Sequence, residues 1–150
     1  MLKISKLADY AVVVLSSMDE VERATAVGLS TATRLPEPTV AKVLKLLAKG
    51  KVVTATRGAQ GGYVLARSLS RIAVADVIAA VDGPVSLTAC VSGGKDDCGL
   101  AKSCSVHGRW DGVNIAIRTA LESVSLADMT RTPFCTALKN KEEEAHERRF

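Results

Sequence analysis

Residues 37–66 read EPTVAKVLKLLAKGKVVTATRGAQGGYVLA, and this stretch decides the fold. Pro38 suits the first position of a helix, where a missing N–H costs nothing. Val40, Val43, Leu44 and Leu47 then recur at helical spacing and predict an inward face, and Gly50 is the expected stop. The outward face offers Thr39, Ala41, Lys42, Lys45 and Lys49, with no acid among them. Residues 52–57 are β-branched and strand-like, Gly58-Ala59-Gln60-Gly61-Gly62 is a turn, and residues 63–66 form a returning strand. A plain hairpin on a helical core would use the same glycines. The basic helix followed at once by a basic hairpin, with Arg57 near its tip, favours a wing.

Working outward, Ile4, Leu7, Ala8, Ala11, Val12, Leu15 and Met18 predict an amphipathic helix over residues 4–19. Thr25 is placed to cap a short helix over 26–32, and Arg34-Leu35-Pro36-Glu37-Pro38 is the turn after it. Two helices joined by a tight turn, the second presenting lysines, outline a helix-turn-helix. Residues 74–81 predict a further short helix, ended by Asp82-Gly83-Pro84. Residues 86–108 are poor in large apolar side chains and hold three of the four cysteines. Such a segment cannot pack a core by itself, so something else must order it.

Beyond that loop Val106, Trp110, Val113, Ile117, Leu121 and Val124 step close to the 3.5-residue repeat of a coiled-coil seam. Trp110 and Ile117 would leave a large exposed patch unless covered, which favours a dimer seam along one long helix. The fold class expected is therefore mainly α with a small β-hairpin: a winged helix-turn-helix domain plus a long dimerisation helix. The organisation expected is a DNA-binding region over 1–83, a cysteine-rich loop over 84–108, a dimerisation helix over 109–130 and a tail over 131–150. The tail's mixed charges over 139–149 read as a solvated end.

Apolar residues make up 47% and charged residues 24% of the 150, which excludes bulk disorder. Residues 1–70 hold ten Lys/Arg against five Asp/Glu, whereas 71–150 hold ten against eleven. The positive field thus sits with the predicted helix-turn-helix and suits a polyanionic partner. Five aromatics (Tyr10, Tyr63, Trp110, Phe134 and Phe150) are too few for a single-strand stacking platform. No apolar run approaches the ~20 residues of a membrane span, and nothing after Met1 reads as a signal-peptide core. A cytoplasmic chain with no membrane partner is expected. No nucleophile–base pairing is evident, and one of the two histidines, His146, falls in the charged tail. Neither an enzyme nor a small-molecule substrate is expected.

Cys90, Cys98, Cys104 and His107 are separated by seven, five and two residues. Clustered thiols in a cytosolic chain point to metal or redox chemistry rather than disulfides. Three small buried residues would be the alternative, but the surrounding Lys95, Asp96, Asp97 and Lys102 make this a poor place to hide a thiol. Thiolates suit zinc, copper(I) or iron–sulfur clusters. The gaps miss the usual two-to-four-residue spacing of structural zinc sites and also the ferredoxin pattern. A larger cluster tolerates a wrapping loop, which places it ahead of zinc without excluding zinc. Cys135, next to Phe134, reads as a packed thiol rather than a fourth ligand.

These pieces together resemble the Rrf-two family of winged-helix transcription regulators, which includes IscR, NsrR and the regulators of SUF-type iron–sulfur assembly. The matching segments are Ser5-Lys6-Leu7-Ala8-Asp9-Tyr10-Ala11-Val12, Arg57-Gly58-Ala59-Gln60-Gly61-Gly62-Tyr63 and Ile72-Ala73-Val74-Ala75-Asp76-Val77-Ile78. The three-cysteine loop and the long helix follow, so the resemblance covers about residues 1–130. It implies a homodimer in which each subunit holds one iron–sulfur cluster by Cys90, Cys98 and Cys104. In IscR-like members a histidine three residues past the last cysteine completes a [2Fe–2S] site, and His107 stands there. In NsrR-like members an aspartate of the first helix, reaching from the other subunit, completes a [4Fe–4S] site, and Asp9 matches it. Both remain open; the softer imidazole, in the same loop, favours His107 and [2Fe–2S].

The resemblance also implies a double-stranded DNA operator. Lys42 and Lys45 would contact phosphates or base edges in the major groove, and Thr39 could read a base. Arg57 would enter the minor groove, with Gln60 beside it on the wing. The function implied is a cluster-sensing repressor of SUF-type assembly genes. The alternatives are a zinc-stabilised winged-helix protein, a small cluster carrier that exchanges electrons, or a same-family sensor of nitric oxide or other stress. Two departures stand out: the gap of seven between Cys90 and Cys98 exceeds the family's usual five, and Ala41 and Lys42 replace the Glu and Gln of IscR-like recognition helices.

Overall fold

Ser5 and Thr25 start the first two helices in the same way. In the computed structural model, which describes residues 3–19, 21–91, 98–100 and 102–131, each is extended and its side-chain oxygen accepts an N–H three residues on. The bonds come from Ala8 at 3.0 Å and Gly28 at 3.1 Å and satisfy donors that a helix start leaves orphaned. Helix α1 spans Lys6–Ser16 and α2 Ala26–Thr33. The first is shorter than its apolar period because Ser5 caps it after Ile4 and a turn takes over beyond Ser16. Helix α3 spans Glu37–Lys49, with Pro36 as the capping residue and Pro38 one place further into the first turn than expected. Val40, Val43, Leu44 and Leu47 are all fully buried, as their spacing predicts.

Strands β1 (Val53–Thr56) and β2 (Gly62–Leu65) pair antiparallel, Val53 opposite Leu65 and Thr56 opposite Gly62. A 3-10 turn over Leu69–Arg71 leads into α4 (Val74–Asp82), followed by α5 (Asp111–Glu122) and α6 (Leu126–Arg131). Cys135, His146 and the 139–149 charge run lie outside the described residues.

Gly50 does follow α3, but for a reason the sequence does not show. Its φ is −77°, open to any residue, and Lys51 takes the left-handed turn at φ 58°. A Cβ at position 50 would lie 2.4 Å from the Cβ of Ala80, so the end of α3 meets α4 closely here. Gly50→Ala should cost about 1–3 kcal/mol through overpacking, read as a lower urea midpoint with an unchanged slope.

The long helix expected from Val106 to Val124 is a correction. Gly108, at φ 72°, interrupts it, and residues before Asp111 run as turns. At the other end the chain leaves the helix to bridge Ala73 with Ser125: Val74 N–H donates to Val124 O at 2.9 Å and Leu126 N–H to Ile72 O at 2.9 Å. The six-residue seam therefore divides. Leu121 and Val124 pack against the winged core, Ile117 is half-buried, and Val106, Trp110 and Val113 are exposed. Leu126 is fully buried in the core, where α6 packs on α1 and on the 3-10 turn over Leu69–Arg71. The winged region and residues 121–127 thus share one core.

Candidate nucleic-acid interface and cysteine loop

The turn between α2 and α3 is closed by its own side chains. Arg34 adopts φ 60°, the Ser30 hydroxyl donates to Leu35 O at 2.6 Å, and the Thr39 and Val40 N–H groups donate to Pro36 O at 2.9 and 3.1 Å. With the turn set and four apolar side chains buried, α3 can present only its other face. Lys42, Lys45 and Lys49 are exposed on it, and Thr39 is half-buried near its start. Such a row of cations on a helix following a tight turn is what a phosphate backbone attracts.

The hairpin stands beside this helix. Arg57 and Gln60 are exposed at its tip, where Gly58 has φ 112° and Gly61 N–H donates to Gly58 O at 2.8 Å. A Cβ at Gly61 would meet Thr56 O at 2.7 Å, so the turn is too tight for another residue. Sequence reasoning missed what braces the wing. Ala24 and Tyr63 exchange backbone hydrogen bonds of 2.9 and 2.8 Å, and the Arg23 guanidinium donates to the Gln60 carbonyl. The only sequence signal was a basic residue just ahead of the Thr25 cap.

The cysteine loop is ordered partly from α5. Asn114 is 2% exposed, yet both ends of its amide are bonded: Nδ2 donates to Val85 O at 3.1 Å and Oδ1 accepts from Leu87 N–H at 3.0 Å. Sequence analysis overlooked this residue, although a lone Asn on the face shared by Trp110, Ile117 and Leu121 is a signal. The pinned segment leads to Cys90 and then to buried Val91. The Cys90 thiol lies 3.4 Å from the Thr88 hydroxyl and beside the Gly108 N–H. These two hydrogen bonds, the Thr88 one foremost, hold the thiol below its ordinary pKa and so shift it toward the thiolate that ligates metal.

Cys98 and Cys104 are half-buried and His107 is exposed, its backbone N–H donating to Cys104 O at 3.2 Å across one turn. Among the described residues no three Cys, His, Asp or Glu side chains converge on one point, so these four are not gathered. Their chemistry, three thiols and an imidazole, fits a thiolate-held metal group. Asp9 sits elsewhere, exposed on α1 in the wall of a groove lined by Val12, Val74, Ile78 and Met129. Among the described residues, no helix is long and apolar enough to cross a membrane.

The six α-helices and one antiparallel hairpin among the described residues, in this order, define a winged helix-turn-helix protein. The chain belongs to the Rrf2 (Rrf-two) family, described as iron-dependent transcriptional regulators, whose profile matches residues 4–132. That family is one of regulators and not of enzymes. The chain is 39% identical over 85 residues to the HTH-type transcriptional regulator IscR of Xenorhabdus nematophila, covering 57% of this chain and 51% of that protein. It spans about half the length of the curated relatives it matches. Among solved structures, T. potens IscR is 29% identical with a TM-score of 0.57, over 95% of this chain and 90% of that one. CymR, the global cysteine regulator of B. subtilis, is 25% identical with a TM-score of 0.63, over 87% and 97% respectively.

Proposed function

We propose that this protein is a cytoplasmic, homodimeric, iron–sulfur-sensing repressor that binds double-stranded DNA and controls iron–sulfur assembly genes of the SUF type. The observation that carries the DNA-binding part is the exposed row Lys42, Lys45 and Lys49 beside a braced wing tip bearing Arg57 and Gln60. In this reading α3 enters the major groove, with Thr39 at its start and the lysines on phosphates, while Arg57 reaches an adjacent minor groove. Family membership and the clustered thiols support the sensing part, and the general likeness of the sequence to the SUF branch supports the choice of genes.

Cys90, Cys98 and Cys104 would hold the cluster, with His107 as fourth ligand and [2Fe–2S] as its form; Asp9 is the alternative ligand, for [4Fe–4S]. When bound, such a cluster supplies a centre that iron shortage or oxidants can destroy. This chain's residues do the rest. Thr88 and Gly108 shift the Cys90 thiol toward the thiolate, and Asn114 holds the start of the loop.

Protein purified without oxygen should be brown and contain iron and acid-labile sulfide. Cys90→Ala, Cys98→Ala and Cys104→Ala should each abolish the colour, and Cys135→Ala should keep it. Shorter cluster lifetime in His107→Ala than in Asp9→Ala would assign the fourth ligand, and the reverse would assign Asp9. Zinc without sulfide in fresh anaerobic protein would sink the proposal.

A further inference from the structure

We propose that Asn114 is the positioning residue through which the state of the cysteine loop is felt by α5, an inference that rests on the cluster-sensing reading above. Its place is unusual for a polar side chain. It is the one polar residue among the fully described positions that is buried, and both ends of its amide grip backbone of the same short segment, Val85 and Leu87. A buried amide satisfied on both sides fixes geometry, because any shift leaves a donor or an acceptor without a partner.

Three further observations make this grip a joint rather than a packing detail. The gripped segment lies three residues before Cys90, and Cys90 in turn touches Gly108, three residues before α5 begins. The loop therefore leaves α5 at Asn114 and returns to it at Gly108. Asn114 also lies in the helix's first turn, its own N–H donating to Trp110 O at 2.9 Å. Finally, Leu121 further along α5 packs on the core, and α4 meets α3 at Gly50 and Ala80. A displacement of the loop that cannot break the Asn114 bonds must move the start of α5 with it. Replacing Asn114 by Leu keeps the volume and removes both bonds, so the loop could rearrange without the helix.

The test is hydrogen exchange by mass spectrometry on wild-type and Asn114→Leu protein, cluster-free and anaerobically cluster-loaded. In cluster-free protein, residues 85–91 should exchange about tenfold faster in the variant, while 40–47 keep their protection. Equal exchange over 85–91 would overturn the inference. Loading should change the protection of residues 111–122 in the wild type and leave it unchanged in the variant, an outcome that a merely structural asparagine would not give. If loading shifts α5 equally in both, or in neither, the inference falls. A wild type that takes up no iron and sulfide instead sinks the proposed function, and the grip itself is still decided by the cluster-free comparison. Should Asn114→Leu lose protection over 40–47, Asn114→Asp replaces it. That variant keeps an acceptor for Leu87 and sets a carboxylate against Val85 O, so it too should speed exchange over 85–91, and wild-type behaviour would overturn the inference.

Discussion

Leu126→Ala should destabilise the protein by about 2–5 kcal/mol, although the residue lies fifty-four positions beyond Ile72, to which its backbone is bonded. Leu126 is fully buried, and it shares its surroundings with Val14, Leu15, Leu44, Leu69, Ile72 and Val77. Truncation removes most of an apolar side chain from water-free surroundings and leaves a cavity that α6, a helix of six residues, closes only if the bridge between Ala73 and Ser125 yields. Chemical denaturation should remain a single transition, because the C-terminal helices and the winged domain have one core. Separate transitions, with the first involving only residues 109–130, would contradict a shared core.

Removing Lys42, Lys45 and Lys49 together by alanine substitution should lower affinity for any duplex by about 10²–10³-fold at 0.1 M salt. Each lysine that neutralises one phosphate contributes roughly 0.9 to the slope of log K against log salt, so the triple variant should lose about 2.7. All three side chains are exposed, and the helix is held by residues on its opposite face, so the fold should survive with little loss. Arg57→Ala should behave differently, with a smaller loss concentrated on A·T-rich flanks, where the narrow groove strengthens the attraction for a cation. A titration over several salt concentrations separates the two.

Helix α3 was legible because one face carries everything that must be buried and the other everything that must not. The hairpin was legible from its β-branched runs and glycines. What stayed hidden depends on residues that meet only in space. Gly50 looks like a helix stop, and only the neighbouring Ala80 shows that it is a contact point. The spacing from Val106 to Val124 continues across Gly108 and Ser125, so periodicity alone joined a turn, a helix and a bridge into one long seam. Arg23 and Asn114 act by bonding to backbone carbonyls and amides, which leaves no pattern among side chains. The cysteines stand out in the sequence by their spacing, but the bonds that hold the start of their loop come from Asn114, twenty-four residues past the first of them.

The most direct measurement is selection of duplexes from a random pool by anaerobically prepared, cluster-loaded protein, followed by sequencing. A dimer with one recognition helix per subunit should enrich an imperfect palindrome whose half-sites lie about one helical turn apart, ~10 base pairs, or a multiple of it. The same protein, stripped of its cluster, should bind the enriched duplex with clearly altered affinity. Recovery of no common sequence, or of one without two-fold symmetry, would contradict a dimeric operator-reading regulator.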